Sequence, residues 1–268
     1  MITWFQALVL GLLQGLAEFL PVSSSAHLSL APWLLGWTDP GLSFDVALHV
    51  GTLIAILWYF WGEWISLLRA AGQIVSTRKI VTVEQQRVIL LIIATIPGAI
   101  AGLLLEKKAD VAFRSPALTA SALIIAGLLL WLADRVATAQ RNLNEITMRD
   151  ALLIGCAQMF ALIPGVSRSG STITAGRALG FDRNGAAAFS FLMSMPIIAA
   201  AAILKVPHVI RETGFSAPLL IGVAASAISG WVAISVLLRY VSRHSYGVFA
   251  IYRIVLGVVV LAIYFMRG

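Results

Sequence analysis

Apolar residues dominate this chain in long runs separated by short polar loops. Runs of roughly 18 to 22 residues, about the length a helix needs to cross a bilayer, fall at 44–61, 87–105, 117–134, 186–204, 217–238 and 247–266. Six crossings are predicted. Two further apolar regions, 4–36 and 151–182, are each interrupted by a proline followed by serines, at Pro21 to Ser25 and Pro164 to Ser171. Proline cannot continue an i to i−4 ladder, and serines just beyond it cap a second helix well, so each region predicts two half-helices around a loop. Backbone broken at membrane depth survives only where protein buries it or it lines a cavity. Both regions are therefore expected as re-entrant helix-loop-helix hairpins of an all-α integral membrane protein.

The two broken regions also resemble each other. Gln14 lies nine residues before Ser23 and Gln158 nine before Ser167, a glycine precedes each Gln by three, and FDVALHVG and FSFLMSMP follow at matching distances. The spacing predicts an internal duplication within one membrane domain spanning 1–268, with repeats at about 1–134 and 151–268. Cytoplasmic loops are enriched in Lys and Arg. With hairpins that do not cross, eleven of the 19 basic residues, from Arg69 to Arg243, share one side and six, including Arg114 and Arg267, the other. Assigning the richer side to the cytoplasm puts both termini outside and makes the repeats inverted. Such repeats hold their binding site near the midplane, where helix N-termini favour an anion.

Composition sharpens the class. Of 268 residues, 60% are hydrophobic and 12% charged, against about 25% charged in ordinary soluble domains, which excludes a cytosolic globule. The net charge of +7 comes from basic residues spread over loops rather than clustered with aromatics, so no nucleic-acid partner is expected. The single cysteine, Cys156, provides neither an intrachain disulfide nor a thiolate metal cluster. No basic n-region precedes the first apolar stretch, which carries Gln14 and Glu18, so that stretch is expected to stay in the mature fold.

The ionisable residues singled out within the apolar segments are Glu18, His27, Asp45, His49, Arg168 and Arg253. Each charge at the bilayer centre costs about 2.5 to 3.5 kcal/mol on insertion scales, which pairing or ligand binding must offset. Gly11, Gln14, Gly15 and Glu18 share one helical face. Either they form a small-residue packing seam, or Glu18 with the Gln14 amide oxygen holds a hard cation, Mg²⁺ or Ca²⁺. Ser23, Ser24 and Ser25 cap the next helix, whose free N–H groups form an anion site, and His27 follows Ser24 by one turn. A hydroxyl attacks only when activated and imidazole titrates near neutrality, so this group serves as nucleophile and acid/base or only as cap and buried hydrogen bond. In PGVSRSGST, Arg168 among Ser167, Ser169, Gly170 and Thr172 suits a bidentate guanidinium clamp on phosphate or carboxylate, the alternative being an arginine that snorkels to the interface. Arg253 either snorkels or joins that clamp. Asp45 and His49, one turn apart, divide evenly between structural and chemical roles.

Two motifs carry a resemblance. QGLAE with the following FLPVSSSAH, and PGVSRSGST, are similar to the (E/Q)xxxE plus serine/histidine segment and the PGxSRSxxT segment of undecaprenyl-pyrophosphate phosphatases of the bacitracin-resistance type; FDVALHVGT, FSFLMSMP and FAIYR resemble further family segments in order. The resemblance implies hydrolysis of undecaprenyl diphosphate to the monophosphate lipid carrier and inorganic phosphate, with a divalent cation, at a site facing the outer side of the bacterial cytoplasmic membrane. It implies that Glu18 and His27 are the acidic and imidazole groups, Ser24 the proposed nucleophile and Arg168 the phosphate-binding arginine. Gln14 stands where many members carry Glu, and Ala26 where Gly is common. The expected partners are that lipid and the surrounding bilayer, with a homodimer left open. Two rivals are weighed: a lipid-phosphate flippase or transporter using the same midplane site, and an acid-phosphatase-like lipid phosphatase, disfavoured because the His and Asp it needs downstream do not follow Ser167 and Arg168 before Asp182.

Overall fold

The computed structural model describes residues 2–112, 115–139 and 141–267. Arg114, counted above with the outer loops, lies outside them. Among the described residues the chain is helical, with no strand: α1 Trp4–Phe19, α2 Ser24–Leu35, α3 Leu42–Tyr59, α4 Trp61–Thr77, α5 Val83–Ala112, α6 Pro116–Val136, α7 Met148–Met159, α8 Arg168–Ala178, α9 Arg183–Thr213, α10 Ala217–Val241 and α11 Gly247–Arg267. Stretches at 83–105, 116–136, 183–207, 217–241 and 247–267 are long and apolar enough to cross a bilayer, and α3 with α4 passes the same test as a pair bent by 83°. The predicted crossing at 44–61 therefore ends at a sharp corner at Phe60 and leads into α4, a helix the apolar pattern did not announce. α5 and α9 run to 30 and 31 residues, longer than the apolar runs within them.

Both broken regions fold as two short helices around a loop. α1 and α2 have 16 and 12 residues, α7 and α8 have 12 and 11. At about 1.5 Å per residue none reaches the roughly 30 Å of a hydrocarbon core. The second break is shifted from its expected place: a 3-10 turn at Phe160–Leu162 precedes it, and Arg168 to Ser171 already belong to α8. The two loops are built alike. Ser23 and Ser167 both sit at positive φ, 75° and 72°, and each Oγ accepts the backbone N–H three residues on, from Ala26 and Gly170.

Small residues let these pieces meet. α10 packs on both α1 and α3; a Cβ on Gly11 would fall 2.3 Å from the Gly222 carbonyl oxygen, and one on Gly15 would fall 2.4 Å from that of Ser226. α7 meets α5 through Gly155 in the same manner, 2.4 Å from the Ala94 carbonyl. α6 and α11 cross on Gly127 and Gly257. The glycines thus form packing seams, while Gln14 and Glu18 on the same helix are free to face elsewhere.

A buried cluster fastens the ends of these helices. Asp134, at the end of α6, accepts from Arg177 Nε at 2.7 Å, from Arg183 Nε at 2.9 Å and from the Tyr246 backbone N–H at 2.9 Å. Arg177, counted above among loop charges, is only 1% exposed. Asp134 closes an apolar run and was not among the ionisable residues singled out; its role is to tie α6, α8, α9 and the approach to α11 together. Because the α1 and α10 backbones touch, Gly15→Val must push them apart. Overpacking of this kind costs about 1 to 3 kcal/mol, expected as a lower melting temperature of the detergent-solubilised protein; an unshifted melt would contradict the seam.

Candidate functional site

The two loops meet inside the bundle, and their side chains interlock. Glu18, in the last turn of α1 and 7% exposed, is the centre. Its Oε1 accepts from Arg168 Nη2 at 3.0 Å. Its Oε2 accepts from Ser24 Oγ at 2.7 Å and from Gln14 Nε2 at 3.2 Å, and His49 Nε2 stands 3.6 Å away. One carboxylate from the first hairpin is thereby paired with the guanidinium that opens α8 of the second. Arg168 is oriented from its far side as well, donating to the Ser190 carbonyl at 2.8 Å.

Local structure explains this placement. Ser24 is the first residue of α2 and Arg168 the first of α8, so both side chains leave helix N-termini, where unpaired N–H groups and the macrodipole favour an anion. Positive φ at Ser23 and Ser167 lets each chain turn directly from loop into helix. The other serines tie the loops. Ser23 and Ser25 hydroxyls lie 3.2 Å apart, Ser167 and Ser169 hydroxyls 3.1 Å apart, and Ser169 Oγ donates across to the Leu20 carbonyl at 3.2 Å. Thr172 Oγ1 lies 2.7 Å from Ser190 Oγ. Gly170 lets Arg253 approach, since a Cβ there would fall 2.5 Å from Arg253 Nη1.

Arg253 neither snorkels nor points at Glu18. It is fully buried and donates to the Pro21 carbonyl at 3.2 Å and to the Gly165 and Val166 carbonyls at 2.8 Å each. Its guanidinium satisfies carbonyls that both broken helices leave open and so holds the loops together, while its Nε is buried without a partner. Both ring nitrogens of His27 are engaged away from Ser24: Nδ1 lies 2.7 Å from the Ser23 carbonyl and Nε2 2.7 Å from the Tyr252 hydroxyl. His49 moves the other way. It enters the Glu18 cluster, its Nδ1 donating to the Asp45 carbonyl at 2.7 Å. Ser190 and Tyr252 were missed, although both sit inside the quoted segments FSFLMSMP and FAIYR; neither ionises near pH 7, so the charge-based search passed over them.

The donor set also tests for a cation. Among the described residues no three His, Cys, Asp or Glu converge as a metal site. The Gln14 amide oxygen, however, is buried without a hydrogen-bond partner one turn from Glu18, and a carboxylate, an amide oxygen and a hydroxyl are hard oxygen donors. These residues fit a single hard cation whose shell a phosphate and water complete.

Beside the second hairpin lies a cavity of about 540 Å³ between α6, α7 and α8, with an almost wholly apolar wall. Val166, Gly170 and Ser171 line one part of it, and Ile125, Leu129 and Phe160 another. Those last three are 59%, 53% and 62% exposed, so the cavity borders the outer, lipid-facing surface of the bundle.

A family model described as Bacitracin resistance protein BacA matches residues 7–259. The chain is 61% identical over 260 residues to an undecaprenyl-diphosphatase of Gemmatimonas aurantiaca, with 97% of each chain covered. It is 50% identical to one of Pelotomaculum thermopropionicum, again over 97% of each, and 49% identical to one of Moorella thermoacetica over 99% of each.

Removing one partner of a buried ion pair strands the other charge, at a cost of about 3 to 5 kcal/mol. Arg168→Gln and Glu18→Gln are each expected to destabilise the protein, and the double variant to recover much of the loss. Thermal unfolding in detergent across the four proteins measures this coupling; strictly additive losses would show that the two side chains do not pair.

Proposed function

The chain belongs to the bacitracin resistance protein BacA family and is an undecaprenyl-diphosphatase of the membrane, and we propose that the cluster around Glu18 is where the diphosphate is cleaved. The observation that carries this reading is the 2.7 Å hydrogen bond from Ser24 Oγ to Glu18 Oε2 beside Arg168. A hydroxyl bonded to a carboxylate is a nucleophile with its base in place, and a guanidinium with two helix N-termini supplies the positive field that phosphoryl transfer needs.

The reaction follows from those parts. The terminal phosphate displaces Glu18 from Arg168 Nη2 and takes the guanidinium and the N–H groups of α2 and α8 as its donors. Ser24 Oγ attacks the terminal phosphorus as its proton passes to Glu18 Oε2; the bond from phosphorus to the bridging oxygen breaks, and undecaprenyl phosphate leaves. Water then cleaves the phosphoserine, releasing inorganic phosphate and restoring Ser24. In the alternative, Ser24 only orients a water that attacks directly. A divalent cation, Mg²⁺ or Ca²⁺, would be held by Glu18 and Gln14 and would add to the neutralisation of diphosphate charge.

The lipid part of the substrate is met by the apolar cavity between α6, α7 and α8, a volume within the range of ligand pockets. We place the site toward the outer face of the bacterial inner membrane with both termini outside, on the charge count of the loops, and read the two halves as inverted copies. The matching serine turns and glycine seams support the duplication. A homodimer is compatible with this reading and no contact requires it.

Phosphate release from undecaprenyl diphosphate by the detergent-purified protein, with and without chelator, is the test. Chelation and Arg168→Ala are each expected to lower turnover by at least about 100-fold, the scale on which single charge-stabilising groups act. Ser24→Ala separates the two routes: loss to background fits attack by the hydroxyl, and substantial residual turnover fits a bound water. Wild-type protein that is folded, supplied with divalent cations and inactive would refute the reading.

A further inference from the structure

We infer that His27 and Tyr252 are positioning residues for Ser24 rather than a proton-transfer pair: α11 holds the first loop at both ends so that the Ser24 hydroxyl points at Glu18. This rests on the phosphatase reading above. The Ser23 carbonyl can only accept a hydrogen bond, so in the 2.7 Å contact between the two His27 Nδ1 carries the proton. Neutral imidazole then offers Nε2 as an acceptor, and the Tyr252 hydroxyl, 2.7 Å away with the two ring planes 6° from parallel, donates to it. The chain of bonds runs from phenol through imidazole to carbonyl and uses both ring nitrogens. Neither Ser24 nor Glu18 is a partner.

What this chain of bonds fixes is a strained peptide. Ser23 has φ 75°, a region a residue with a Cβ enters at a cost, and its carbonyl begins the peptide that carries Ser24. The same carbonyl also accepts the His27 backbone N–H at 3.2 Å. Two residues earlier, Arg253 donates to the Pro21 carbonyl at 3.2 Å. Neighbouring residues of one helix, Tyr252 and Arg253, therefore grip the loop on either side of the turn. They are also the titratable groups set against His27.

The second loop supplies the contrast. Ser167 has nearly the same φ, 72°, yet the residue four on is Ser171, which donates to the Arg168 carbonyl instead. No imidazole is needed there. Arg168 has a long side chain that reaches Glu18 and the Ser190 carbonyl by its own torsions, whereas Ser24 has one rotatable bond before its oxygen and is aimed by its backbone. Misplacing a reacting group by about 1 Å can cost about 100-fold in rate.

The experiment compares His27→Asn, His27→Gln, His27→Ala and Tyr252→Phe with wild type, by phosphate release across pH and by kcat and KM separately. Asn places an N–H donor close to the position of Nδ1 and can keep the bond to Ser23, while Gln mimics Nε2. His27→Asn is expected to stay within about tenfold of wild type with the pH profile unmoved, and Tyr252→Phe to lower kcat about tenfold at constant KM. His27→Ala and His27→Gln are expected to fall about 100-fold. Equal loss in His27→Asn and His27→Ala together with disappearance of a pH limb would overturn the inference in favour of proton transfer, as would wild-type kcat in Tyr252→Phe. An inactive wild type would instead strike at the phosphatase reading, so the two failures are distinguishable.

Discussion

A carboxylate and a guanidinium, each too costly to leave alone in a bilayer, are brought within 3.0 Å of one another from separate broken helices. Much else in the bundle serves that meeting. The first hairpin must reach in far enough to carry Glu18, the second far enough to carry Arg168, and the loops must sit side by side although broken backbone is the least tolerated structure at that depth. The pair resolves its own cost by proximity. The carbonyls opened by the breaks are resolved by Arg253, which satisfies Pro21, Gly165 and Val166 at once. One cation thus stabilises the backbone, while the other is met by a carboxylate.

The two arginines illustrate how environment assigns roles that sequence leaves open. Both lie in apolar segments, and both could clamp phosphate. Arg168 begins a helix and finds a carboxylate, a partner that a phosphate can replace like for like. Arg253 lies within a long helix against two loops and finds only carbonyl oxygens, which a phosphate cannot replace without leaving them unpaired. Similarly Asp134 takes three donors from different elements and is an anchor.

Much of this was legible in the chain. The apolar runs gave the long helices, because a span must be continuously apolar, and proline with serine marked both breaks, because backbone chemistry there is local. Glu18 and Arg168 were legible since a charge within an apolar segment demands a partner, whereas Ser24 stood out only as one of three capping serines in a segment that resembles the family motif. The corner at Phe60 and helix α4 were not, because the apolar run stops at Trp61 and α4, with Glu63, Arg69 and Gln73 along it, reads as the polar loop that follows a crossing. Nor was the traffic around His27: its partner Tyr252 lies 225 residues away, and no spacing rule reaches across the bundle. His49 was visible as a residue but divided between readings, and only the packing of α3 against α1 brings it to Glu18.

On the proposal that the cavity beside α8 receives the lipid part of the substrate, the enzyme meets that substrate within the bilayer. The cavity wall is apolar and its rim belongs to the outer surface of the bundle, so a lipid reaching it travels by lateral diffusion in two dimensions without passing through water. Saturation is then governed by the mole fraction of the lipid in the bilayer, and adding inert lipid or detergent dilutes the substrate even when the amount per litre is unchanged. Apparent affinities from micelles of different size will disagree for that reason alone, and the quantity that transfers between preparations is the surface concentration.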